Sequence, residues 1–229
     1  IVTWGNNSNN QRNDSPVDAD YKAIACGDYH SVALKNDGRI VTWGDNTFDQ
    51  RENSSSDEED SSDEEEEGED DADYIAIACG NSHSVALKKN GKIVTWGNNI
   101  FHQRDDSPVD TGYKAIACGR HHSVALKNDG TIVTWGTNNR GEINDSPVGT
   151  GYITIACGKN HSVALKNDGT IVTWGYTRNI FQRNNSPTDS NFFAIACGGY
   201  HSVALKYTLD KTGNDNFTNK ILRLIRLSS

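Results

Sequence analysis

The chain of 229 residues contains no Met and only four Pro. Residue 1 is Ile, so a translation start outside this sequence is expected. No apolar run approaches the roughly 18 residues of a membrane-spanning helix, so no membrane partner is expected. No secretory signal pattern is present. Cys is odd in number, at five, which argues against a closed disulfide framework and weakly favours a reducing compartment. Also missing are a phosphate-cradling glycine loop and a nucleophile elbow. Each His-Ser pair is adjacent in sequence, so on a strand the two side chains point to opposite faces, the wrong geometry for a nucleophile and its base. No enzyme activity and no cofactor are therefore expected. At roughly 150 residues per domain, the length allows one or two domains, or one large all-β domain with its own core.

What is present is a repeat. Trp4, Trp43, Trp96, Trp135 and Trp174 are spaced by 39, 53, 39 and 39 residues. Cys26, Cys79, Cys118, Cys157 and Cys197 are spaced by 53, 39, 39 and 40. The unit is thus 39 residues, and one copy carries 14 more. The third copy reads Ile93-Val-Thr-Trp-Gly97, an Asn-rich loop, Ser107-Pro108-Val109, Tyr113-Lys-Ala-Ile-Ala-Cys-Gly119 and His122-Ser-Val-Ala-Leu-Lys127. Three short apolar or β-branched runs per unit, each ended by a turn, predict three strands. Asp37-Gly38, Asn90-Gly91, Asp129-Gly130 and Asp168-Gly169 mark hairpins, with both residues expected at positive φ. The strands are apolar on both faces, so both faces should be buried. A radial stack of small sheets, a β-propeller, meets that requirement.

The pattern Gly119-x-x-His122-Ser-Val-Ala-Leu-Lys127-x-Asp129-Gly130-x-Ile132-Val-Thr-Trp-Gly136, followed in the repeat by Asn, Gln, Ser-Pro-Val and Tyr-x-Ala-Ile-Ala-Cys-Gly, resembles the repeat of the regulator of chromosome condensation family. Its short form is similar to the compact three-stranded blades of bacterial and viral relatives, among them the secreted propeller that inhibits β-lactamases. The resemblance covers residues 1 to about 206. It implies an all-β propeller, here with five three-stranded blades where the family usually has seven. Its functions range over nucleotide exchange, enzyme inhibition and ubiquitin-ligase modules. Ile1-Val-Thr-Trp-Gly5 lacks its own hairpin partner, and His201-Ser-Val-Ala-Leu-Lys206 is followed by no Trp strand. The first is expected to pair with the second and close the ring; an incomplete ring is the alternative. The expected layout is a propeller over 1–206, a disordered acidic insertion over 54–73 and an extension over 207–229. Residues Lys220 to Leu227 fit either a capping helix or an extra strand.

The insertion holds Asp57, Glu58, Glu59, Asp60, Asp63, Glu64, Glu65, Glu66, Glu67, Glu69, Asp70, Asp71 and Asp73, with no base. Like charges at this density repel and should stay solvated. The net charge of −9 is therefore uneven: 13 of 31 acids lie here, leaving 18 acids against 22 bases elsewhere. The first twelve of these residues are candidates for binding a basic protein partner; a merely solvating loop is the alternative. Ser54, Ser55, Ser56, Ser61 and Ser62 each precede an acid by three positions, which suits an acidophilic kinase.

The recurrent His30, His83, His122, His161 and His201 suggest a metal crown, yet a structural role repeated in every blade explains them better. The five thiols, one per blade, are expected to be small buried packing groups. The Trp indoles are expected to pack on the next blade with N–H bonded to a loop, rather than to stack sugars. Gln-Arg recurs after four of the five Trp, the fourth unit having Arg140-Gly-Glu142 instead, and places Arg12, Arg51, Arg104 and Arg183 on one rim as candidate contacts for an acidic group; bracing of the local loop is the alternative. The expected function is a non-enzymatic protein-interaction scaffold that works through rim loops 6–20, 45–73, 98–112, 137–151 and 176–191. Direct nucleic-acid binding is not expected. An enzyme inhibitor, a propeller lectin and a viral or particle structural protein are the alternatives.

Overall fold

The computed structural model describes residues 1–51, 73–176 and 186–207. Its fourteen strands run β1 Tyr21–Cys26, β2 His30–Lys35, β3 Ile40–Gly44, β4 Tyr74–Cys79, β5 His83–Lys88, β6 Ile93–Gly97 and β7 Tyr113–Cys118. They continue as β8 His122–Lys127, β9 Ile132–Gly136, β10 Tyr152–Cys157, β11 His161–Lys166, β12 Ile171–Gly175, β13 Phe192–Cys197 and β14 Ser202–Lys206. Four antiparallel sheets follow one pattern, β1-β2-β3 through β10-β11-β12, and β13-β14 forms a fifth of two strands. Every sheet contacts its sequence neighbour through the inner and middle strands, giving the succession of blades of a propeller.

The hairpins form where expected but with a different turn. Only the Gly takes positive φ, +91 at Gly38 and +82 at Gly91 and Gly130. Gly38 N donates to Lys35 O at 3.1 Å, so a three-residue loop ends on the left-handed glycine. The preceding residue is held by its own side chain instead: Asp129 Oδ1 accepts Thr131 N at 2.9 Å, and Asn90 Oδ1 accepts Lys92 N at 2.9 Å. A Cβ at Gly91 would lie 2.7 Å from Gly112 N, because the chain entering the next blade crosses here.

The middle strands are the core. Val32, Leu34, Val85, Leu87, Val124 and Leu126 are fully buried. Residues 30, 32 and 34 share one face and point forward, where Val32 and Leu34 meet Tyr74, Ala86 and Trp96 of the next blade. The following interfaces repeat this with Val85 and Leu87 against Tyr113, Ala125 and Trp135, then Val124 and Leu126 against Tyr152, Ala164 and Trp174. The second, third and fourth sheets are thus covered on both faces by the same chemistry, whereas Ile24 of the first sheet is 65% exposed and Val203 and Leu205 of the last are 57% and 58% exposed.

The expected pairing of Ile1–Gly5 with β14 is not seen. That segment forms no strand, and Trp4 is 84% exposed where Trp96 is 1% exposed. Every other Ile-Val-Thr-Trp-Gly strand is tied to its middle strand by a short hairpin loop, and Ile1–Gly5 has no such tether to β14. It is held on the opposite side of the arc, through its Asn-rich loop docked on the first blade. The proposed 207–229 extension, and the choice of helix or strand for 220–227, lie outside the described residues beyond Tyr207. Among the described residues no helix is long and apolar enough to cross a membrane.

Candidate interaction face at one end of the blades

The turn after each inner strand and the loop after each outer strand lie at the same end of the blade. His30 pairs with Gly44, and Asp45 N donates to Tyr29 O at 2.9 Å. The same contact recurs from Asn98 N to Ser82 O and from Thr137 N to His121 O. This end is held by three devices that repeat from blade to blade.

The first is a backbone seam around the axis. Asp28 N donates to Asn81 O at 3.2 Å, Asn81 N to Arg120 O at 3.0 Å, Arg120 N to Lys159 O at 2.9 Å and Lys159 N to Gly199 O at 2.9 Å. These residues and the Cys-Gly pairs before them border an axial cavity of about 370 Å³. Because the seam uses only main chain, the side chain at this position is free to vary, and it does: Asp28, Asn81, Arg120, Lys159 and Gly199. The position after it varies as well: Tyr29, Ser82, His121, Asn160 and Tyr200.

The second device is a side-chain relay between blades. His30 Nε2 lies 2.7 Å from Ser84 Oγ, His83 Nε2 2.9 Å from Ser123 Oγ, His122 Nε2 2.8 Å from Ser162 Oγ and His161 Nε2 2.9 Å from Ser202 Oγ. Nδ1 of His30, His83 and His122 is buried and takes no protein partner. The hydrogen-bond network assigns the proton to Nε2, which donates to Ser and leaves a bare lone pair as the orphan. The Ser hydroxyl can then donate to Cys, with Ser84 Oγ 3.7 Å from Cys79 Sγ and Ser123 Oγ 3.7 Å from Cys118 Sγ. Burial holds His30 down to about 4, His83 to about 3 and His122 to about 4. Burial also pushes the Cys79 thiol up to about 12. These are neutral, unreactive groups. The His-Ser contact that sequence adjacency rules out within a blade thus forms between blades, buried at the first three interfaces and partly buried at His161 to Ser202. The sequence holds the signal: His shares strand parity with Val and Leu, Ser shares it with Ala, and stacked identical blades bring one face against the other.

The third device is the Asn-rich loop. Asn46 Oδ1 accepts Arg51 N at 2.8 Å, and Asn99 Oδ1 accepts Arg104 N at 2.9 Å. Gln50 Oε1 accepts Phe48 N at 2.7 Å, and Gln103 Oε1 accepts Phe101 N at 2.9 Å. The main-chain carbonyl of the same Gln receives the indole of the next blade: Trp43 Nε1 to Gln11 O, Trp96 to Gln50 O and Trp135 to Gln103 O, each at 2.9 Å. The fourth loop substitutes Glu142, whose Oε2 accepts Arg140 N at 2.8 Å and whose carbonyl accepts Trp174 Nε1 at 3.0 Å. Burial pushes the Glu142 carboxyl up. The indoles of Trp43, Trp96, Trp135 and Trp174 are buried and unavailable as sugar platforms.

The candidate rim arginines fall differently. Arg12, Arg51 and Arg104 brace their loops through the main-chain amide. The Arg51 guanidinium reaches Asp14 of the preceding loop at 3.3 Å. Arg183 lies outside the described residues, as do all twelve candidate acids from Asp57 to Asp71. Cys26 is exposed, and Cys79, Cys118, Cys157 and Cys197 are partly exposed beside the axial cavity, so as whole residues they are less buried than expected. Some apolar groups are exposed at this end, while Val17, Val109 and Val148 are exposed towards the other. Tyr29, Phe48 and Ile100 are exposed, and the Phe101 ring lies 4.8 Å from that of His121 in the next blade.

A family model described as the regulator of chromosome condensation (RCC1) repeat matches residues 21–50, 74–103, 113–142 and 152–179. An RCC1 repeat-containing protein of Dictyostelium discoideum is 34% identical over 79 residues, covering 34% of this chain and 16% of that protein. The E3 ubiquitin-protein ligase HERC2 of Homo sapiens is 34% identical over 83 residues, covering 36% of this chain and 2% of that one. The chain therefore corresponds to a small part of the curated relatives it matches. Among solved structures, the ectodomain of the Physcomitrella patens receptor kinase CR4 superposes with a TM-score of 0.67 at 22% identity, over 90% of this chain and 52% of that one. Prp20p of Saccharomyces cerevisiae gives a TM-score of 0.64 at 21% identity, over 92% of this chain and 61% of that one. With four matched repeats over just over half of its length, each falling on one described blade of a shared propeller frame, the chain belongs to the regulator of chromosome condensation (RCC1) repeat family.

Proposed function

We infer that the chain is a non-enzymatic protein-interaction module whose partners dock on the end of the blades that carries the variable turns and Asn-rich loops. One observation carries this reading. The strand sequences are nearly identical across blades, while the paired positions Asp28-Tyr29, Asn81-Ser82, Arg120-His121, Lys159-Asn160 and Gly199-Tyr200 differ in every blade at one end of a rigid frame. A rigid repeated frame that changes side chains from blade to blade in its exposed turns and loops is the layout expected of a recognition surface. The exposed Tyr29, Phe48 and Ile100 supply apolar contact area there.

In sequence, the acidic run 57–73 follows the loop that leaves this end after β3. We assign it the capture of a basic segment of the partner, and we assign Arg12, Arg51, Arg104 and Arg183 the contact of acidic groups elsewhere on that partner. Prp20p, a protein of the same fold studied for its binding to Gsp1p and histones, makes a basic histone-type partner the first choice. The test is calorimetry with a Lys- and Arg-rich histone tail peptide on the intact chain and on a chain lacking 54–73. Deletion should weaken binding at least tenfold at low salt, and the difference should shrink steeply as salt rises. Equal affinity of the two chains at low salt would rule out the acidic capture role.

A further inference from the structure

At the opposite, hairpin end of the blades, a carboxylate joins the last lysine of the middle strand. Asp18 bonds Lys35 and the Tyr21 hydroxyl, Asp110 bonds Lys127 and the Tyr113 hydroxyl, and Asp189 bonds Lys206. In the third blade Tyr113 OH donates to Asp110 Oδ1 at 2.7 Å, Lys127 takes Oδ2, and Lys127 Nζ sits 5.2 Å from the Tyr113 ring centroid. The Lys127 hydrogen bond, then that of Tyr113, holds the Asp110 carboxyl below its ordinary value.

The fourth blade keeps the receptor and lacks the occupant. Val148-Gly149-Thr150-Gly151-Tyr152 stands where the third has Val109-Asp110-Thr111-Gly112-Tyr113. Lys166 Nζ again sits 5.2 Å from the ring centroid of Tyr152, so the ammonium holds the same station. Among the described residues no carboxylate bonds Lys166, and a Cβ built on Gly149 would meet nothing within 4 Å. The nearby Asp168 is bound to Thr170, through the amide at 2.9 Å and the hydroxyl at 2.6 Å. Asp129 is bound to Thr131 in the same way in the third blade, where Lys127 still takes Asp110. Asp168 is therefore the counterpart of a neighbour that coexists with the carboxylate, not a substitute for it.

We propose that Lys166 Nζ and Tyr152 OH form a carboxylate-binding site at the hairpin end of the fourth blade, filled by an Asp or Glu side chain of an acidic partner protein. One carboxylate oxygen accepts from the ammonium and the other from the phenol, the arrangement Asp110 makes within its own blade. The site goes beyond the function inferred above, since it lies at the other end of the blades and selects the opposite charge. A single partly exposed charge-assisted pair binds weakly alone, so it serves as one orienting contact within a larger interface.

Sodium acetate is the probe, titrated against the full chain at constant ionic strength made up with NaCl, with Tyr ring and Lys side-chain resonances followed by NMR. Tyr152 and Lys166 should shift saturably while Tyr113 and Lys127, already occupied, stay still. Lys166→Met should abolish the Tyr152 response with the remaining spectrum in place. Asp110→Gly should make Tyr113 respond, turning a filled site into an open one. Equal responses at Tyr152 and Tyr113 in the unaltered chain, no response to acetate beyond that to chloride, or a Tyr152 response that survives Lys166→Met would each overturn the proposal.

Discussion

Glu142 shows how a single residue reports on the loop that holds it. Gln11, Gln50 and Gln103 fill the same station with a neutral amide, and Glu142 accepts the same main-chain N–H while 1% exposed. Its raised carboxyl favours the protonated form in the fold, so its contribution weakens as pH rises through the carboxylate range and stays weakened above it. Glu142→Gln should therefore raise stability at pH 7 by about 1 kcal/mol or less, and the gain should disappear in acid. Urea unfolding at pH 7 and pH 4 would show it; a loss of stability at pH 7 would mean the charge is needed there. The buried histidines give the opposite slope. Their folded values of about 4, 3 and 4 lie below the ordinary 6.5, so only the unfolded chain takes up protons between those limits. Stability should be full above pH 6.5 and fall from there towards pH 4, by about 1.4 kcal/mol per pH unit for each His. The lowered carboxyls of Asp18, Asp37 and Asp110 act only below their ordinary 3.8, beneath the windows of His30 and His122. Unfolding free energy measured at pH 7, 6 and 5 checks this; a flat profile would place the imidazoles in water.

Among the elements, the strand ends were legible in the sequence because each is bracketed by Gly or a turn pair. The phase of the middle strands was legible too, since Val and Leu alternate with Ser and Ala. The turn type was not, because Asp-Gly permits two positive φ values and the Asp carboxylate instead captures the amide two residues on. The His-Ser relay was not read because its partners stand about one repeat apart and meet only when parity is combined with stacking order. Glycine after each Cys belongs to that relay. A Cβ at Gly119 would lie 2.0 Å from His122 Cε1 and 2.8 Å from Gly158 O, with ring and backbone both fixed. Gly119→Ala should cost roughly 1–3 kcal/mol or more. Leu126→Ala, which removes a forward-pointing side chain from the next interface, should cost roughly 2–5 kcal/mol. Both follow from thermal or urea unfolding; near-neutral values would mean that the blades do not stack as tightly as described.

For the whole molecule, identical faces stacked front to back make a frame that spends its variation at its ends. The axial seam leaves Asp28, Asn81, Arg120 and Lys159 free to differ, and the loops add Phe48 and Ile100 around them. The average charge hides this: the body carries more bases than acids, and the negative balance comes from residues 57–73. Pairing of Ile1–Gly5 with the last blade followed from sequence identity alone, and identity does not supply the hairpin tether that seats every other copy. The location of the recognition surface is open to one direct measurement, amide hydrogen exchange of the full chain with and without a Lys- and Arg-rich histone tail peptide. Protection should rise in the turns 27–29, 80–82 and 119–121 and in the loops 45–51 and 98–104, with the hairpin turns 36–38, 90–91 and 128–130 unchanged. Protection confined to the hairpin turns, or absent from the variable turns under saturating peptide, would contradict the assignment of the recognition surface to this end.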